Sequence, residues 1–543
     1  MSNLYKPFWK VSGSKGAAGA GAVLAVLLWH ASGLAQQPMP EASGATTSFT
    51  ISGFELTGDN PLKPEETSRV LAPFIGPGGS LSTLQKATAA LEAELKAKGF
   101  ALHRVSLPPQ EVGAKVTLNI VKFVIGKVTV EGRSSYSEAN IRASVPELQE
   151  GAAPNFKTLA IQTAIANENP GKHVQVSLKE SDEADKIDAK LVLKEARPWN
   201  FSASLSNTGS DATGRDRLTL VGGHSNLFDL DHQFAGAYTT SVERSSDVKQ
   251  LGLNYRIPLY RQGGVIGLSY TSSDVVGSFG TFTSTGAGET LGVNYNHYLP
   301  PAGGRRTYLS IGLDEKRFNI AQINGVPVPG QLDRASRPLT LGYTARVESD
   351  SAAWGYITEL AFNLPGGSGN NLTAYQSEDA RISSVNWVAL RGGANYLGAF
   401  ASGWLWGVRG QFQYSADALI AGEQFGLGGA SSVRGTGERA ISGDSGLLTS
   451  LEITSPELRP GLRLLGFMDA GWLRNNNPGV NPNKPANDQL LSAGLGLRYA
   501  SGSYGFSVDW GRVLTGSGLA RTVGSGIPQS GDQKIHLNFM ARF

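Results

Sequence analysis

Apolar and polar residues alternate with a period of two through the C-terminal part of the chain, from residue 198 to residue 543. In YGFSVDW (504–510), for example, the aromatic and apolar side chains fall on one face and the small or polar ones on the other. About sixteen such segments of roughly 9–15 residues can be counted, and this alternation predicts β-strands with one apolar face. The strands are long enough to cross a bilayer at a tilt, and many carry Trp or Tyr near their ends.

The pattern therefore predicts a 16-stranded antiparallel transmembrane β-barrel over residues 198–543. A soluble β-solenoid or propeller is the alternative, although it would need a blade-length repeat that we do not find. The last predicted strand, KIHLNFMARF, places Phe543 on its apolar face. A terminal aromatic strand resembles the assembly signal of outer-membrane barrels, so Phe543 is a candidate for that role. A last strand that simply ends on an apolar residue would look the same.

A different pattern fills residues 49–195, where helical and strand periodicities alternate and Lys and Glu are frequent. FTISGFELTG (49–58) and FVIGKVTVEG (123–132) both read as apolar strands that end at Gly, about 74 residues apart. A helical pattern and two further strands follow each of them. The repeat predicts two β-α-α-β-β modules, at 49–121 and 122–195. One mixed domain with coincidental spacing is the alternative.

The helices of these modules have predictable faces and starts. In the first module, one face of the long helix is apolar and contains Leu84, Ala87, Leu91 and Leu95. Ser82 is the predicted N-cap of this helix, and Asn155 is the predicted N-cap of the corresponding helix in the second module. Both side chains can accept a hydrogen bond from the unpaired N–H groups of a first helical turn.

The first 35 residues (1–35) predict a secretory signal peptide. Three lysines precede a small-to-apolar run at 16–29, and Gly33 and Ala35 predict cleavage after Ala35. A membrane anchor is the alternative, but the run of about 14 residues is shorter than the ~20 that a spanning helix needs. Residues 36–48 would then be a linker before the first module. That linker is too short to hold a helix as long as the barrel.

Composition narrows the classes of function. Only 17% of the 543 residues are charged, the formal net charge is +3, glycine is frequent at 69 residues, and cysteine is absent. This balance does not predict nucleic-acid binding, and the lack of cysteine excludes disulfides, thiolate nucleophiles and Cys-bearing metal sites. Nucleotide-binding, zinc-protease and EF-hand motifs are missing from the sequence. GDSG (443–446) and FDLD (228–231) fit a strand start and a turn better than a protease nucleophile and a cation site. We therefore predict no enzyme activity, no metal and no cofactor.

An arginine stands inside a glycine-rich stretch, GGASSVRGTGERAISGD (428–444). It belongs to a loop at 417–442, the arginine loop, between the predicted eleventh and twelfth strands. On the thirteenth strand, alternation turns Asp469 inward, where a carboxylate is costly unless it is paired or hydrated. A loop folded into the barrel would bring Arg434 to Asp469, and a guanidinium binds a carboxylate in fork geometry. Two unrelated charges in a watery pore, worth ~0–1 kcal/mol even in contact, are the alternative.

These features together resemble a known family. The loop motif consists of Val433, Arg434 and Gly435, and the motif on the following strand consists of Phe467, Asp469 and Gly471. With two N-terminal β-α-α-β-β modules and a 16-stranded barrel, they resemble the two-partner secretion transporters of the bacterial outer membrane, the TpsB or haemolysin secretion/activation type. The modules resemble POTRA domains. The resemblance covers residues 49–543.

The resemblance implies an outer-membrane pore with its POTRA domains in the periplasm. These domains would capture an unfolded secreted exoprotein of the haemolysin or adhesin class, by adding an extended strand to a sheet edge. The partner would cross the barrel without ATP. The arginine loop would fold into the lumen, where Arg434 pairs with Asp469. Outer-membrane lipid and the barrel-assembly machinery are the other implied partners, nucleic acid is not one, and we expect a monomer.

The sequence departs from the family pattern in two places. The family motif commonly continues with an aromatic residue, whereas this chain has Thr436, which predicts a less firmly anchored loop. Many members also carry an N-terminal helix that plugs the barrel, and the 36–48 segment has no room for one.

A barrel-assembly factor of the same superfamily is one alternative function, although such proteins generally have more POTRA modules. A passive porin is the other, although it has no use for folded periplasmic modules.

Overall fold

The computed structural model describes residues 48–543 except 112, 114, 321, 324, 325, 350, 401, 523 and 524. The predicted signal peptide (1–35) lies outside the described residues, as does the predicted linker (36–48) up to its last residue. No helix in the described part of the chain has both the length and the apolar composition needed to span a membrane. The chain divides into two compact units: one is formed by most of the first module, the other by the second module together with the barrel.

The first module is a three-stranded sheet with two helices, in the order strand, helix, helix, strand, strand. Its elements are β1 (Gly53–Gly58), α1 (Pro64–Leu71), α2 (Leu81–Ala97), β2 (His103–Ser106) and β3 (Lys115–Lys122). Strand β3 lies in the middle, parallel to β1 and antiparallel to β2. A short ribbon pairs Phe49–Ile51 with Gly76–Gly79, and a 3-10 turn covers Ala72–Phe74.

Helix α2 has the predicted apolar face but a different N-cap. All four residues of that face, Leu84, Ala87, Leu91 and Leu95, are buried. The helix begins at Leu81, and the hydroxyl of Ser80 accepts a hydrogen bond of 3.3 Å from the N–H of Thr83. The predicted cap, Ser82, is therefore wrong, because it lies within the first turn. Ser80 and Ser82, two positions apart, offer the same capping group, and periodicity alone cannot choose between them.

The second module repeats this order of elements. They are β4 (Val124–Glu131), α3 (Glu138–Ser144), α4 (Phe156–Ala166), β5 (Lys172–Glu180) and β6 (Lys186–Glu195). Strand β6 is central, parallel to β4 and antiparallel to β5. The predicted cap of α4 is confirmed, since the side chain of Asn155 accepts hydrogen bonds from the N–H groups of Lys157 and Thr158. The core includes the fully buried Ile125, Ile141, Ala166 and Leu191.

Sixteen antiparallel strands form a closed barrel, in which the last strand pairs with the first. Barrel strands 1–16 are, in order, Trp199–Ser206, Arg217–Leu227, His232–Thr240, Lys249–Leu259, Gly264–Ser273, Gly288–Ala302, Arg305–Phe318, Arg334–Ser336 continued by Pro338–Glu348, Ala352–Asn363, Val388–Ala399, Leu405–Ser415, Ser445–Thr454, Leu462–Arg474, Asn487–Ser501, Tyr504–Thr515 and Gln533–Arg542. The predicted fold class is confirmed.

Short helices and two-stranded ribbons lie in the loops between barrel strands. Helix α5 (Leu372–Glu378) lies between strands 9 and 10, and 3-10 turns cover Tyr260–Gln262 and Ala421–Glu423. Two-residue and three-residue ribbons pair Gly277–Phe279 with Phe282–Ser284, Gln322–Ile323 with Val326–Pro327, and Phe425–Leu427 with Ile441–Gly443. Residues 196–198 alone separate β6 from barrel strand 1.

The two faces of the barrel wall have different chemistry, as the alternation predicts. On strand 16, Leu537 and Phe539 are 41% and 44% exposed, whereas the intervening face buries His536. The exposed face is apolar all round the barrel and carries aromatic pairs such as Trp199 stacked on Phe201. Exposed apolar side chains belong against lipid, so the other face of each strand lines the lumen.

Candidate functional site

The arginine loop is ordered and buried, although its composition is that of a flexible segment. It joins barrel strands 11 and 12, and the ribbon of Phe425–Leu427 with Ile441–Gly443 forms its base. Val433, Arg434 and Thr436 at its tip are at most 4% exposed. Gly428 and Gly435 have φ angles of +115° and +91°, which L-residues with side chains rarely adopt. The glycines therefore allow the backbone to turn sharply while the tip packs against the wall.

Arg434 and Asp469 form a fork-shaped ion pair. The Nε and Nη2 atoms of Arg434 donate to the two carboxylate oxygens of Asp469 at 2.8 and 2.7 Å. The backbone N–H of Arg434 adds a third hydrogen bond, of 3.0 Å, to the same carboxylate. Asp469 is fully buried, and Ser450 donates to it at 2.6 Å. The structure thus places the loop arginine on the inner face of strand 13, and the pair is shielded from water.

Two further side chains surround the guanidinium. Arg434 Nη1 donates to Glu452 on strand 12 at 2.6 Å, and the Phe467 ring centroid lies 3.5 Å from the guanidinium carbon. A cation over an aromatic face is attracted by the ring quadrupole, which is stronger where water is excluded. Neither Glu452 nor Ser450 was predicted from the sequence. Their signal was available in the alternation of strand 12, which puts both on the face that Asp469 uses on strand 13.

The glycines of the two motifs permit close packing of the loop. A β-carbon on Gly435 would lie 2.9 Å from the backbone of Gly511 on strand 15, and one on Gly471 would lie 2.5 Å from Leu427. The N–H of Gly435 donates a hydrogen bond of 3.0 Å to Nε2 of His536 on strand 16. The tip therefore contacts strands 12, 13, 15 and 16 together. The contribution of strands 15 and 16 could not be read from either motif.

Thr436 stands where an aromatic residue was expected, and it is bonded inside the loop. Its hydroxyl donates to the carbonyl of Val433 at 2.8 Å and accepts from the N–H of Gly429 at 3.1 Å. These bonds connect the two sides of the tip. The carboxylate of Glu438 adds a further bond by accepting from the N–H of Ala430 at 2.9 Å. The tip is thus held by internal hydrogen bonds.

Two buried clusters of charge hold the base of the arginine loop, and neither was predicted from the sequence. Glu423 accepts from Arg391 at 2.8 Å and from Ser336 at 2.6 Å, and Lys316 lies 3.1 Å away. Asp444 accepts from Arg381 and from the N–H of Asn476, both at 2.8 Å. These residues come from strands and loops far apart in the chain, so no local pattern connects them.

The remaining candidate residues lie apart from this site. Phe543 follows strand 16 and is 77% exposed, and its N–H donates to the carbonyl of Phe201 on strand 1 at 3.0 Å. FDLD (228–231) forms the turn between strands 2 and 3, and its Asp231 is paired with Lys172 of the second module. Among the residues that the structure describes, no cluster of His, Asp and Glu has the arrangement of a metal site.

The closed 16-stranded barrel, the N-terminal α+β modules and the lumenal arginine loop define the class of outer-membrane transporters with POTRA domains. More narrowly, the chain belongs to the haemolysin secretion/activation protein family ShlB/FhaC/HecB, whose model matches residues 185–499. A ShlB-type POTRA domain model matches residues 49–122. The predicted resemblance to TpsB-type two-partner secretion transporters is confirmed.

Relatives and solved structures agree with this family. The chain is 23% identical over 493 residues to the outer membrane transporter CdiB of Escherichia coli, covering 88% of this chain and 81% of the relative. It is 24% identical over 403 residues to CdiB of Dickeya dadantii, covering 70% and 68%. The fold is similar to that of CdiB from Escherichia coli (TM-score 0.72, 19% identity, 93% of each chain) and from Acinetobacter baumannii (TM-score 0.70, 18% identity, 91% and 90%).

The family gives the location and the broad role. The protein is an outer-membrane β-barrel secretion transporter, and the POTRA domains of this family lie in the periplasm. The family is a transporter family and not an enzyme class, and it acts on a secreted partner protein.

Proposed function

We propose that this chain captures an unfolded exoprotein in the periplasm with its POTRA domains and passes it through the barrel to the cell surface without ATP. The observation that carries this proposal is the buried Arg434–Asp469 pair, which holds a long loop inside the lumen. A pore that is occupied by its own loop must rearrange before a polypeptide can cross it. A passive porin needs no such device.

The energy of the pair supports a pore that stays occupied at rest. Separating a buried ion pair costs about 3–5 kcal/mol when one charge is left without a partner. Here a displaced loop would leave Asp469 and Glu452 without the guanidinium of Arg434. Loop displacement therefore needs free energy from outside the barrel, and binding of the exoprotein is the source that we propose.

The outer surface of the barrel and the last residue of the chain support the other proposed partners. The exposed apolar face of the strands is suited to outer-membrane lipid, and a single closed barrel is suited to action as a monomer. Phe543 projects from the end of strand 16 and remains our candidate for contact with the barrel-assembly machinery. We propose no catalytic step for this protein.

Reconstitution tests this function directly. The purified protein is inserted into liposomes, and the secreted protein that depends on it is added unfolded from urea, with no nucleotide present. We expect part of the exoprotein to become protected from added protease. The same exoprotein folded beforehand, and liposomes without the transporter, are the controls. Protection that requires ATP, or that is equal in the control liposomes, would contradict the proposal.

The same liposomes discriminate the assembly-factor alternative. An unfolded outer-membrane barrel protein is added in place of the exoprotein, and its membrane insertion is followed by heat-modifiable migration in gels. We expect the rate of insertion to equal that in empty liposomes. Faster insertion, together with no protection of the exoprotein, would favour an assembly factor.

A further inference from the structure

One wall of the barrel is covered from the periplasmic side by the second module. Helix α4 buries Ile165 against Val265 of strand 5 and Tyr298 of strand 6, and all three residues are at most 3% exposed. Ile161, Tyr260 and Tyr308 pack around them. Val265 and Tyr298 lie on the lumen-facing side of their strands, because the alternate positions, such as Leu268 and Val293, are exposed toward lipid. The end of α4 therefore lies against the inner wall at the pore entrance.

Charged contacts fix α4 in this position. Glu168, just after the helix, accepts hydrogen bonds from Arg256 of strand 4 at 3.0 Å and from Tyr298 at 2.5 Å. Lys172 of β5 donates to Asp231, in the turn between strands 2 and 3, at 2.6 Å, and the two side chains are 0% and 1% exposed. Breaking such contacts leaves buried charges without partners, so these contacts stabilise the docked position of the second module.

The part of the wall at the junction of strands 16 and 1 has different chemistry. Strand 1 turns Ser202, Ser204 and Ser206 toward the lumen, and Ser206 aligns in register with Asn538 of strand 16 and Ser507 of strand 15. These side chains are uncharged and polar, and toward the periplasm Met540 aligns with Ser204 and Arg542 with Ser202. Asn538 is exposed, whereas Asn296, the lumen-facing asparagine of strand 6 beside α4, is only 8% exposed.

We infer that the exported polypeptide crosses the pore along this Ser/Asn wall, formed by strands 15, 16 and 1, while α4 keeps it off strands 4–7. The inference rests on the proposed export function and adds a path to it. Hydroxyl and amide groups can bond to the backbone of any sequence, and none of them forms a tight site. Conduction requires such weak, repeated contacts.

The position of the Ser/Asn wall supports this path at both ends. At the periplasmic end, strand 1 follows the second module after residues 196–198, so a chain held by that module begins beside the wall. At the end away from the periplasm, His536 lies two positions from Asn538 along strand 16. It accepts a hydrogen bond from the N–H of Gly435 at the tip of the arginine loop. A polypeptide that follows the wall therefore reaches the loop that occupies the lumen.

Cysteine labelling tests the asymmetry, because the chain contains no cysteine of its own. Asn538→Cys and Asn296→Cys form a matched pair, and a polyethylene-glycol maleimide is added to the purified protein. We expect Asn538→Cys to react at least about tenfold faster, since labelling of a covered site must wait for a local opening. Adding Glu168→Ala to Asn296→Cys should accelerate its labelling. Equal rates in the matched pair would overturn the inference, and heat-modifiable migration verifies that each variant is folded.

Disulfide cross-linking tests the path itself. An exoprotein carrying one cysteine is halted in transit by a folded C-terminal domain and then oxidised in the presence of each variant. We expect a cross-link to Asn538→Cys and not to Asn296→Cys. The reverse preference, or equal cross-linking to both, would overturn the path while leaving export intact. No cross-link to either, with unequal labelling preserved, would instead count against the proposed function on which the path depends.

Discussion

The guanidinium of Arg434 and the carboxylate of Asp469 meet in two parallel hydrogen bonds on the inner wall of the barrel, 35 positions apart in the chain. One residue belongs to a glycine-rich loop and the other to a rigid strand. The pair therefore joins the arginine loop to the barrel wall, and its free energy is the first quantity to measure.

Replacing either partner should impair secretion more than assembly. We expect Arg434→Ala to cost about 3–5 kcal/mol of loop docking, because it leaves the buried carboxylate of Asp469 without its cation. Asp469→Ala should cost less, because Arg434 keeps its ion pair with Glu452. The amount of exoprotein in the culture supernatant and the heat-modifiable migration of the barrel are the measurements. The double variant should cost less than the sum of the two single variants, since neither charge remains. Normal secretion by Arg434→Ala would contradict this prediction.

Gly511 should be required for seating the loop tip. A β-carbon at Gly511 would approach the backbone N of Gly435 to 2.6 Å, so Gly511→Ala is expected to displace the tip and raise the conductance of the protein in planar bilayers. Gly505 is a matched control on the same strand and face, where the nearest atom to an added β-carbon lies 4.0 Å away. We expect Gly505→Ala to conduct as the unmodified protein does. Equal conductance of the two variants would count against the close contact.

The Thr436 hydroxyl should contribute to the order of the tip. Thr436→Val keeps the shape of the side chain and removes the hydrogen bonds to Val433 and Gly429. We expect a loss of about 1 kcal/mol or more per buried group left unsatisfied, seen as faster hydrogen exchange in the loop. Thr436→Ser is the control, because it retains the hydroxyl. Exchange that is the same in the Val and Ser variants would show that the hydroxyl is dispensable.

Acid should loosen one turn of the second module before the rest. Burial raises the pKa of Glu195, but the carboxylate accepts hydrogen bonds from the hydroxyl of Ser134 and from the N–H groups of Ser134, Ser135 and Tyr136. These bonds to the charged form outweigh burial and hold the pKa at about 2. A lowered carboxylate pKa stabilises the fold above the unfolded value of about 4.3, and this stability is lost as the pH falls toward 2.

Hydrogen exchange of residues 133–137, corrected for the intrinsic pH dependence, measures this loss. Glu195→Gln should show raised exchange already at neutral pH, and its exchange should not change further through the same acid range. Glu180→Gln, at the end of β5, is the control that should behave as the unmodified protein. A protection profile that is flat down to pH values near 2 in the unmodified protein would contradict the assignment.

The alternation of side chains predicted the barrel strands and the inward phase of Asp469, because strand phase can be read from neighbouring residues of one segment. The contact with Arg434 was expected from the resemblance of the two motifs to the family, and alternation alone left two unrelated charges as the alternative. The inward phase of Ser450 and Glu452 could be read from strand 12, but their contacts with Asp469 and Arg434 could not. Those contacts depend on the register between strands 12 and 13, which pairs Ser450 with Asp469.

The contacts of His536, Gly511 and Lys172 could not be predicted from the sequence for a different reason. His536 and Gly511 meet the loop tip only after the barrel closes, and Lys172 finds Asp231 only after the second module docks on the first strands. Closure of the barrel and docking of the module depend on the assembled structure. The periodicity of a single segment therefore does not predict these contacts.

The two acids around Arg434 have a consequence for ion flow. While the loop is seated, one guanidinium neutralises much of the charge of Asp469 and Glu452. Once the loop moves away, two carboxylates face the lumen without their cation, and the local field becomes negative. The conducting state is therefore expected to select cations over anions, with a reversal potential in a potassium chloride gradient that shifts toward zero in Asp469→Asn.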